Sequence, residues 1–442
     1  MPTGRRKPTL VPPKGRYRRG LILKSTAGGL LVGLVAGGVS IIYRFASTLF
    51  QGGQAYILAH VTNVPLIVMY FIMLAALAFL VRKVITWEPF TAGSGIAEVR
   101  GEVQGYFDMN WIKVLVGKFV GCLLSMAGGL SLGREGPSVQ LGAMAGKGLS
   151  RLTHRGKKAE HYLITCGASA GLSAAFNCPL TGVMFALETF NAEYSVNLLF
   201  TALIASVTAD FVSKVFFGMS PVFSVPLDLF LPLSTVGFVI ALGVICGVTG
   251  QIFYRSMQLA QKFYDKLPLP ENTEPIVPFL LAGVLGLTLP GVLGDGHLIL
   301  EQLVQGQIAV RMIALLLVVK FAYSMLCFTS KSPGGSLAPM IVLGAFVGGL
   351  YGHLAVRALG LDMMLINNFI ILAMAGYFAA IVRTPLTAVA LACELTGSFS
   401  HLIYFGIVVT VAEVVSSMMK TEPMYEAGMK NLMIKHHVVS EQ

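Results

Sequence analysis

Three stretches, residues 25–43, 229–254 and 363–382, run the length of a membrane crossing without one charged side chain. A helix needs about 20 apolar residues to cross a hydrocarbon core of about 30 Å, and each stretch meets that length. Only 12% of the 442 residues are charged and 55% are hydrophobic, giving a mean hydropathy of +0.75. A soluble domain of this size would need more surface charge. The chain is therefore read as an all-α polytopic membrane protein, surrounded by membrane lipid.

The 49 glycines fit close helix packing and helices broken inside the membrane. The net charge of +11 is concentrated, since residues 1–24 hold eight Lys/Arg and no acid. A basic tail can bind nucleic acid, but one leading straight into a span marks the cytoplasmic side. The reading is a basic cytoplasmic segment at 1–24 and no nucleic-acid partner. That long basic stretch, with no clear cleavage site after it, argues against a removable signal peptide. Cysteines 122, 166, 178, 246, 327 and 393 sit in apolar surroundings without a CxxC pair, so they read as packing residues. No metal and no cofactor is expected.

The chain also repeats itself. The segment PLTGVMFALE at 179–188 matches PLTAVALACE at 385–394 in six of ten places, at an offset of 206. GREGPSVQLGAMAG, from Gly133, aligns with GSLAPMIVLGAFVG, from Gly335, at an offset of 202. Lys118-Phe119 matches Lys320-Phe321 at 202, and GSG at Gly93 finds GDG at Gly294 at 201. Four landmarks in one order at nearly one offset define two homologous halves. The organisation expected is a first transmembrane repeat at 25–217, a connecting region at 218–275 that includes part of the membrane domain, a second repeat at 276–419 and a C-terminal segment at 420–442.

Loop charge sets the relative orientation of the halves. Residues 151–160 hold four Lys/Arg, whereas their counterpart at 357–362 holds one arginine and one aspartate. Arg82, Lys83 and Arg100 lie around the first GSG; around GDG the nearby charges are Asp295, within it, and Glu301. By the positive-inside rule the first-half loops are cytoplasmic and their mates are not. The repeats are thus inverted, an arrangement typical of secondary transporters, which bind substrate at the tips of broken helices.

Three Gly-rich turns run into apolar segments: 91–98, 132–137 and 332–339. Helix N-termini present unpaired N–H groups and about half a positive charge, so they attract anions. Gly93, Gly95, Gly136 and Gly335 let backbone approach a ligand, and Pro137 in a first turn costs no needed donor. Glu135 is an intramembrane acid and so a functional candidate. The competing reading of Glu135 is a salt bridge with Arg134, but neighbours along a helix do not face each other. Arg134 is instead expected to supply positive potential near the outer entrance.

These motifs resemble those of the CLC family of chloride channels and chloride/proton antiporters. GSGIAE is similar to that family's GSGIP, GREGPSVQ matches GREGP, and GGSLAP resembles GxFxP; AAFNCPLTGVMFALE, with its later echo, also fits. The resemblance runs from about residue 25 to 430. It implies a CLC-like fold of two inverted-topology repeats with broken, tilted helices, and a homodimer with one anion pathway per subunit. It further implies that Ser94 and Tyr425 offer hydroxyls to a central chloride, that the Ser336 and Leu337 N–H groups complete that site, and that Glu135 is the external gate. A carboxylate is itself an anion, so it fills a chloride site until a proton neutralises it. Hydroxyl and amide dipoles bind halide weakly enough to release it.

The sequence departs from the family pattern at three places. Ala97 stands at the proline of GSGIP, and Leu337 at the phenylalanine of GxFxP. Thr189 follows Glu188 where antiporters carry a second glutamate that passes protons inward, and threonine cannot titrate. Glu188 has a repeat mate in Glu394, which favours a structural role; water or Glu193 is left to substitute for the relay. The expected function is chloride/proton antiport, with passive chloride conduction as the alternative because of Thr189. Ser94 favours chloride over nitrate and, with GREGP, speaks against the fluoride branch. The short tail offers no room for CBS modules, and a bacterial inner membrane is the expected location. An intramembrane hydrolase is the remote alternative: GASAG at 167–171 formally matches GxSxG around Ser169, but it lies in a helical run without an acid and histidine partner. The chain is not expected to be an enzyme.

Overall fold

The computed structural model describes residues 14–190, 195–219, 221–223, 225, 227, 229–420 and 422–435, with side chains from residue 25 onward. The side chains of the basic segment 1–24, and Glu193, lie outside that description. The described residues are helical, without a strand among them.

The first eight helices are α1 (Lys14–His60), α2 (Val64–Trp87), α3 (Ile96–Val103), α4 (Trp111–Ala127), α5 (Glu135–Leu152), α6 (Lys157–Phe176), α7 (Pro179–Phe190) and α8 (Val196–Phe217). The next eight follow in the same order: α9 (Val236–Lys266), α10 (Ile276–Thr288), α11 (His297–Val304), α12 (Val310–Thr329), α13 (Leu337–Leu359), α14 (Ile366–Val382), α15 (Pro385–Thr396) and α16 (Leu402–Met418). A last helix, α17, spans Met424–Lys435. Both α3 and α11 have 8 residues, and both follow a single 3₁₀ turn, Pro89–Thr91 or Pro290–Val292. Both start after a left-handed glycine, Gly95 with φ 87° or Gly296 with φ 90°. No L side chain adopts that backbone without strain, which explains the glycine in each GxG turn. α1 packs on α6 and α8 as α9 packs on α14 and α16.

Seven described helices are long and apolar enough to cross a membrane. Others are too short. At 1.5 Å per residue, α3 and α11 span about 12 Å and α7 and α15 about 18 Å, well short of the hydrocarbon thickness. A helix that short, once inside the bilayer, ends within it. Non-helical backbone is tolerated there only where protein or a water-filled cavity surrounds it.

Glycine sets the closest packing. A Cβ at Gly142 would lie 3.0 Å from the Cα of Gly171, and one at Gly171 would lie 3.3 Å from the Cα of Gly142. Gly146 and Gly167 meet the opposing backbone in the same way, so α5 and α6 touch without intervening side chains. Gly167 and Gly171 are the outer glycines of GASAG. That motif is therefore a packing seam within α6, and Ser169 sits buried mid-helix, where no strand-to-helix elbow exists. All six cysteines are buried and free.

Candidate ion pathway

Gly133 and Gly335 exchange backbone hydrogen bonds, each N–H donating to the other's carbonyl at 2.7 Å. This antiparallel pair joins the turns that precede α5 and α13, so the two helices begin side by side. The first GxG turn joins them. Gly334 donates to the Gly93 carbonyl at 2.9 Å, and Gly93 donates to that of Lys331 at 3.2 Å. A Cβ on Gly136 would lie 3.0 Å from the Gly335 Cα and 3.3 Å from the Ser94 Cβ. The starts of α3, α5 and α13 thus converge, and side chains larger than hydrogen would separate them.

Buried lysines hold these turns. Lys118 donates to the carbonyls of Thr91, Ala92 and Gly93 at 2.9, 3.2 and 2.8 Å. Lys320, its repeat mate, donates to Val292 and Gly294, both at 3.1 Å, and to the Ser131 hydroxyl at 3.3 Å. Each ammonium gathers carbonyls that a broken helix would otherwise leave unpaired. The Lys-Phe landmark contained these residues, but nothing in the sequence distinguished their role.

The converging tips carry the predicted residues. The Ser94 hydroxyl accepts the Ile96 N–H at 3.3 Å, capping α3. Ser336 and Leu337 stand at the start of α13, and the Ser336 hydroxyl lies 3.3 Å from that of buried Tyr425 on α17. Glu135 opens α5, is fully buried, and neither carboxylate oxygen has a hydrogen-bond partner. Its carboxylate lies over Gly133, in the space a Cβ there would fill.

The expectation that Arg134 and Glu135 turn apart is overturned. Arg134 Nε lies 3.9 Å from Glu135 Oε1, an ion pair too long for a hydrogen bond. Arg134 is the N-cap residue of α5, at the boundary where the regular helix starts, and its long side chain reaches the neighbouring carboxylate. The repeat mates differ in charge at this depth. Asp295 takes the place of Ser94 and accepts the His297 N–H at 3.0 Å, and Leu337 takes that of Glu135. A carboxylate at the second GxG turn repels anions, so the first is the tip suited to bind one.

A cavity of about 700 Å³ leads to this cluster. Gly93, Ser94, Ser336 and Tyr425 line one end; exposed Lys262 and Asp265 on α9 and Lys430 on α17 line the mouth. Glu98, which the motif reading passed over, also lines it although it is buried. Motif spacing gave no signal for it, because Ser94 stands before the left-handed Gly95 and off the helix that carries Glu98.

Thr189 does not join this cluster; it is buried on α7 with an unpartnered hydroxyl. Its neighbour Glu188 reaches α15 and accepts the N–H groups of Leu386 and Thr387 at 3.0 and 2.8 Å.

Glu102, Asp108 and Glu160 bring their carboxylates within 4.8 Å of one another. Cationic side chains fill the place between them. Lys147 lies 2.5 Å from Glu102 and 2.7 Å from Asp108, Arg151 pairs with Asp108 and Glu160, and Lys157 reaches both. The hydrogen bond from Lys147 and the charges of Lys147, Arg151 and Lys157 hold the Asp108 carboxyl down at about 2. This network fastens the α3–α4 loop to the end of α5 and the start of α6.

The family model described as voltage gated chloride channel matches residues 71–417. The chain belongs to the CLC family. This CLC chain is 31% identical over 421 residues to the H(+)/Cl(-) exchange transporter ClcA of Citrobacter koseri, across 92% of its own length and 88% of the relative's. The ClcA exchange transporter of Vibrio cholerae is 31% identical over 407 residues, covering 90% and 87%. Among solved structures, a slow cyanobacterial Cl-/H+ antiporter superposes with a TM-score of 0.86 at 25% identity, over 93% of this chain and 99% of that one. The resemblance read from the GREGP segment and its companions is borne out, as is the all-helical, multi-pass membrane architecture.

Proposed function

We propose that this CLC chain exchanges chloride for protons, with Glu135 as the gate. The observation that carries this reading is the Glu135 carboxylate, fully buried at the start of α5 without a hydrogen-bond partner. A buried carboxylate without a hydrogen-bond donor is costly when charged, even with the Arg134 guanidinium 3.9 Å away, so it needs either a proton or an escape. Protonation removes the negative charge from the tip and lets an anion take its place. Chloride binds beside it, at the hydroxyls of Ser94 and Tyr425 and the first N–H groups of α13, at Ser336 and Leu337. The relatives named as exchange transporters support exchange over passive conduction.

The α3–α4 loop network, the Arg100–Glu426 ion pair and the cavity mouth lie on one side. That side also carries the basic 151–160 loop, which supports a cytoplasmic mouth. The like packing of α1 and α9, with the halves inverted, supports a cytoplasmic start for α1. The second repeat is proposed to begin at α9 rather than at residue 276, because α9 packs as α1 does. Family membership supports a homodimer in a lipid bilayer, and the Citrobacter and Vibrio relatives support a bacterial inner membrane.

Purified protein in proteoliposomes, with chloride and internal pH followed together, tests the reading. Uphill proton movement driven by a chloride gradient is expected. Chloride flux without it would return the chain to the passive alternative.

A further inference from the structure

Thr189 leaves the exchange reading without a titratable inner relay, yet the cavity wall contains an acid. We propose that Glu98 is the inner proton carrier of this chain, an assignment that rests on the exchange reading above.

Glu98 lies in the first turn of α3, and Ser94 stands just before that helix, ahead of the left-handed Gly95. It is 7% exposed, and the surface it keeps lines the cavity that ends at Ser94 and Tyr425. Two other acids line that cavity. Asp265 is exposed and accepts a hydrogen bond from Gln261, and Glu422 is exposed and pairs with Lys430. Glu98 alone joins burial with access to the cavity.

The surrounding charges are already engaged. On α4, Lys118 is bound by three carbonyls. On α3 itself, Arg100 pairs with Glu426 of α17, and Glu102 pairs with Lys147 of α5. Lys430 of α17 holds Glu422 and Glu426, Glu160 of α6 holds Arg151, and Glu188 of α7 caps α15. No described side chain donates a hydrogen bond to the Glu98 carboxylate. The groups that act on it are the Lys118 charge and the backbone N–H groups of Gly95 and Glu98, so it can gain and lose a proton without breaking a side-chain hydrogen bond.

The path onward is short. Glu98 and Ser94 line the same cavity. A Cβ on Gly136, the neighbour of Glu135, would lie 3.2 Å from the Ser94 carbonyl oxygen. In the transfer, hydronium in the cavity gives a proton to a Glu98 carboxylate oxygen. That O–H then releases it to a water chain ending at Glu135, and Glu98 returns to carboxylate. No other bond changes.

An acid in a first turn also complements the helix dipole, so stability alone does not test the role. The test uses the full-length protein in proteoliposomes, comparing wild type, Glu98→Gln, Glu98→Asp and Glu135→Gln for chloride flux and proton movement. Glu98→Gln is expected to lower the proton-to-chloride ratio at least tenfold while chloride flux stays measurable. Glu98→Asp is expected to keep coupling with an altered dependence on cavity-side pH. A wild-type ratio in Glu98→Gln overturns the assignment. If that variant does not fold, an unchanged ratio and unchanged pH profile in Glu98→Asp overturn it instead. A wild-type protein that moves no protons, alongside an unaltered Glu135→Gln, brings down the exchange reading itself.

Discussion

Glu188 on α7 and Glu394 on α15 exchange helix caps across the repeat interface. Glu188 accepts the N–H groups of Leu386 and Thr387 and the Thr387 hydroxyl at 3.0, 2.8 and 2.6 Å. Glu394 accepts those of Leu180 and Thr181 and the Thr181 hydroxyl at 2.8, 2.8 and 2.6 Å. Each half of the chain thus supplies the anion that the other half's helix N-terminus requires. Replacing either glutamate by alanine is expected to destabilise the protein by ~2–4 kcal/mol, with Gln intermediate, because charged hydrogen bonds to orphaned donors are lost. Thermal melts in detergent should give similar losses for the two sites. A large loss at one and none at the other would refute the exchanged-cap account.

The Gly133–Gly335 pair makes a second demand. A Cβ at Gly335 would lie 2.8 Å from the Gly136 nitrogen and 2.9 Å from the Gly133 oxygen, both rigid backbone atoms. Gly335→Ala is expected to push the α5 and α13 tips apart, at about 1–3 kcal/mol for overpacking, and to reduce chloride flux. Gly38→Ala, where a Cβ meets nothing within 4 Å, is the matched control and should leave both unchanged.

Much of this design was legible in the sequence, and the reasons differ by element. Uncharged runs identify spans because the bilayer penalises charge along its whole depth. The GxG turns and GREGP were legible because left-handed or close-packed backbone admits only glycine there. The like packing of α9 and α1 was not legible. Those helices share no motif, and what they pack against, α14 and α16 in one case and α6 and α8 in the other, is a matter of tertiary contact. The approach of Arg134 to Glu135 depends on a side-chain torsion at a helix boundary, which sequence spacing does not determine. Glu98 was hidden for another reason. The cavity it lines is walled by residues of α9 and α17, from Tyr254 onward, more than 150 residues away in the chain.

Asp108 sets the pH behaviour of the loop network. Its carboxyl is lowered from 3.8 to about 2 by the Lys147 hydrogen bond first, then by the charges of Lys147, Arg151 and Lys157. A lowered carboxyl contributes stability that is fully present above about 3.8 and is lost as pH falls through about 2. Its side chain is 59% exposed, so screening limits the gain to under about 1 kcal/mol. Asp108→Asn should therefore lower the melting temperature slightly at neutral pH, less in high salt, and by a shrinking amount as pH falls through about 2. A deficit that stays at its neutral-pH size at pH 2 would place the effect outside this titration.

Glu135 sets the direction of the transport response. Charged, it occupies the tip of α5 and excludes an anion; protonated, it does not. Chloride flux should consequently rise as pH falls, and Glu135→Gln, a permanent mimic of the protonated form, should flatten that dependence and abolish proton coupling. Flux measured at stepped pH on each face of the vesicle checks this. A Glu135→Gln protein with the wild-type pH profile would remove Glu135 from the gate.

Tyr425 offers the narrowest test of the ion site. Its hydroxyl lies 3.3 Å from that of Ser336, at the inner end of the cavity, and the ring packs edge-on to Phe185. Tyr425→Phe keeps that packing and removes one donor worth about 0.5–1.5 kcal/mol, or roughly two- to twelvefold in affinity. Calorimetric titration with chloride should show weaker binding by that factor, without loss of folded protein. Affinity equal to wild type would mean that the chloride does not meet this hydroxyl. The site would then rest on Ser94 and the α13 N–H groups alone.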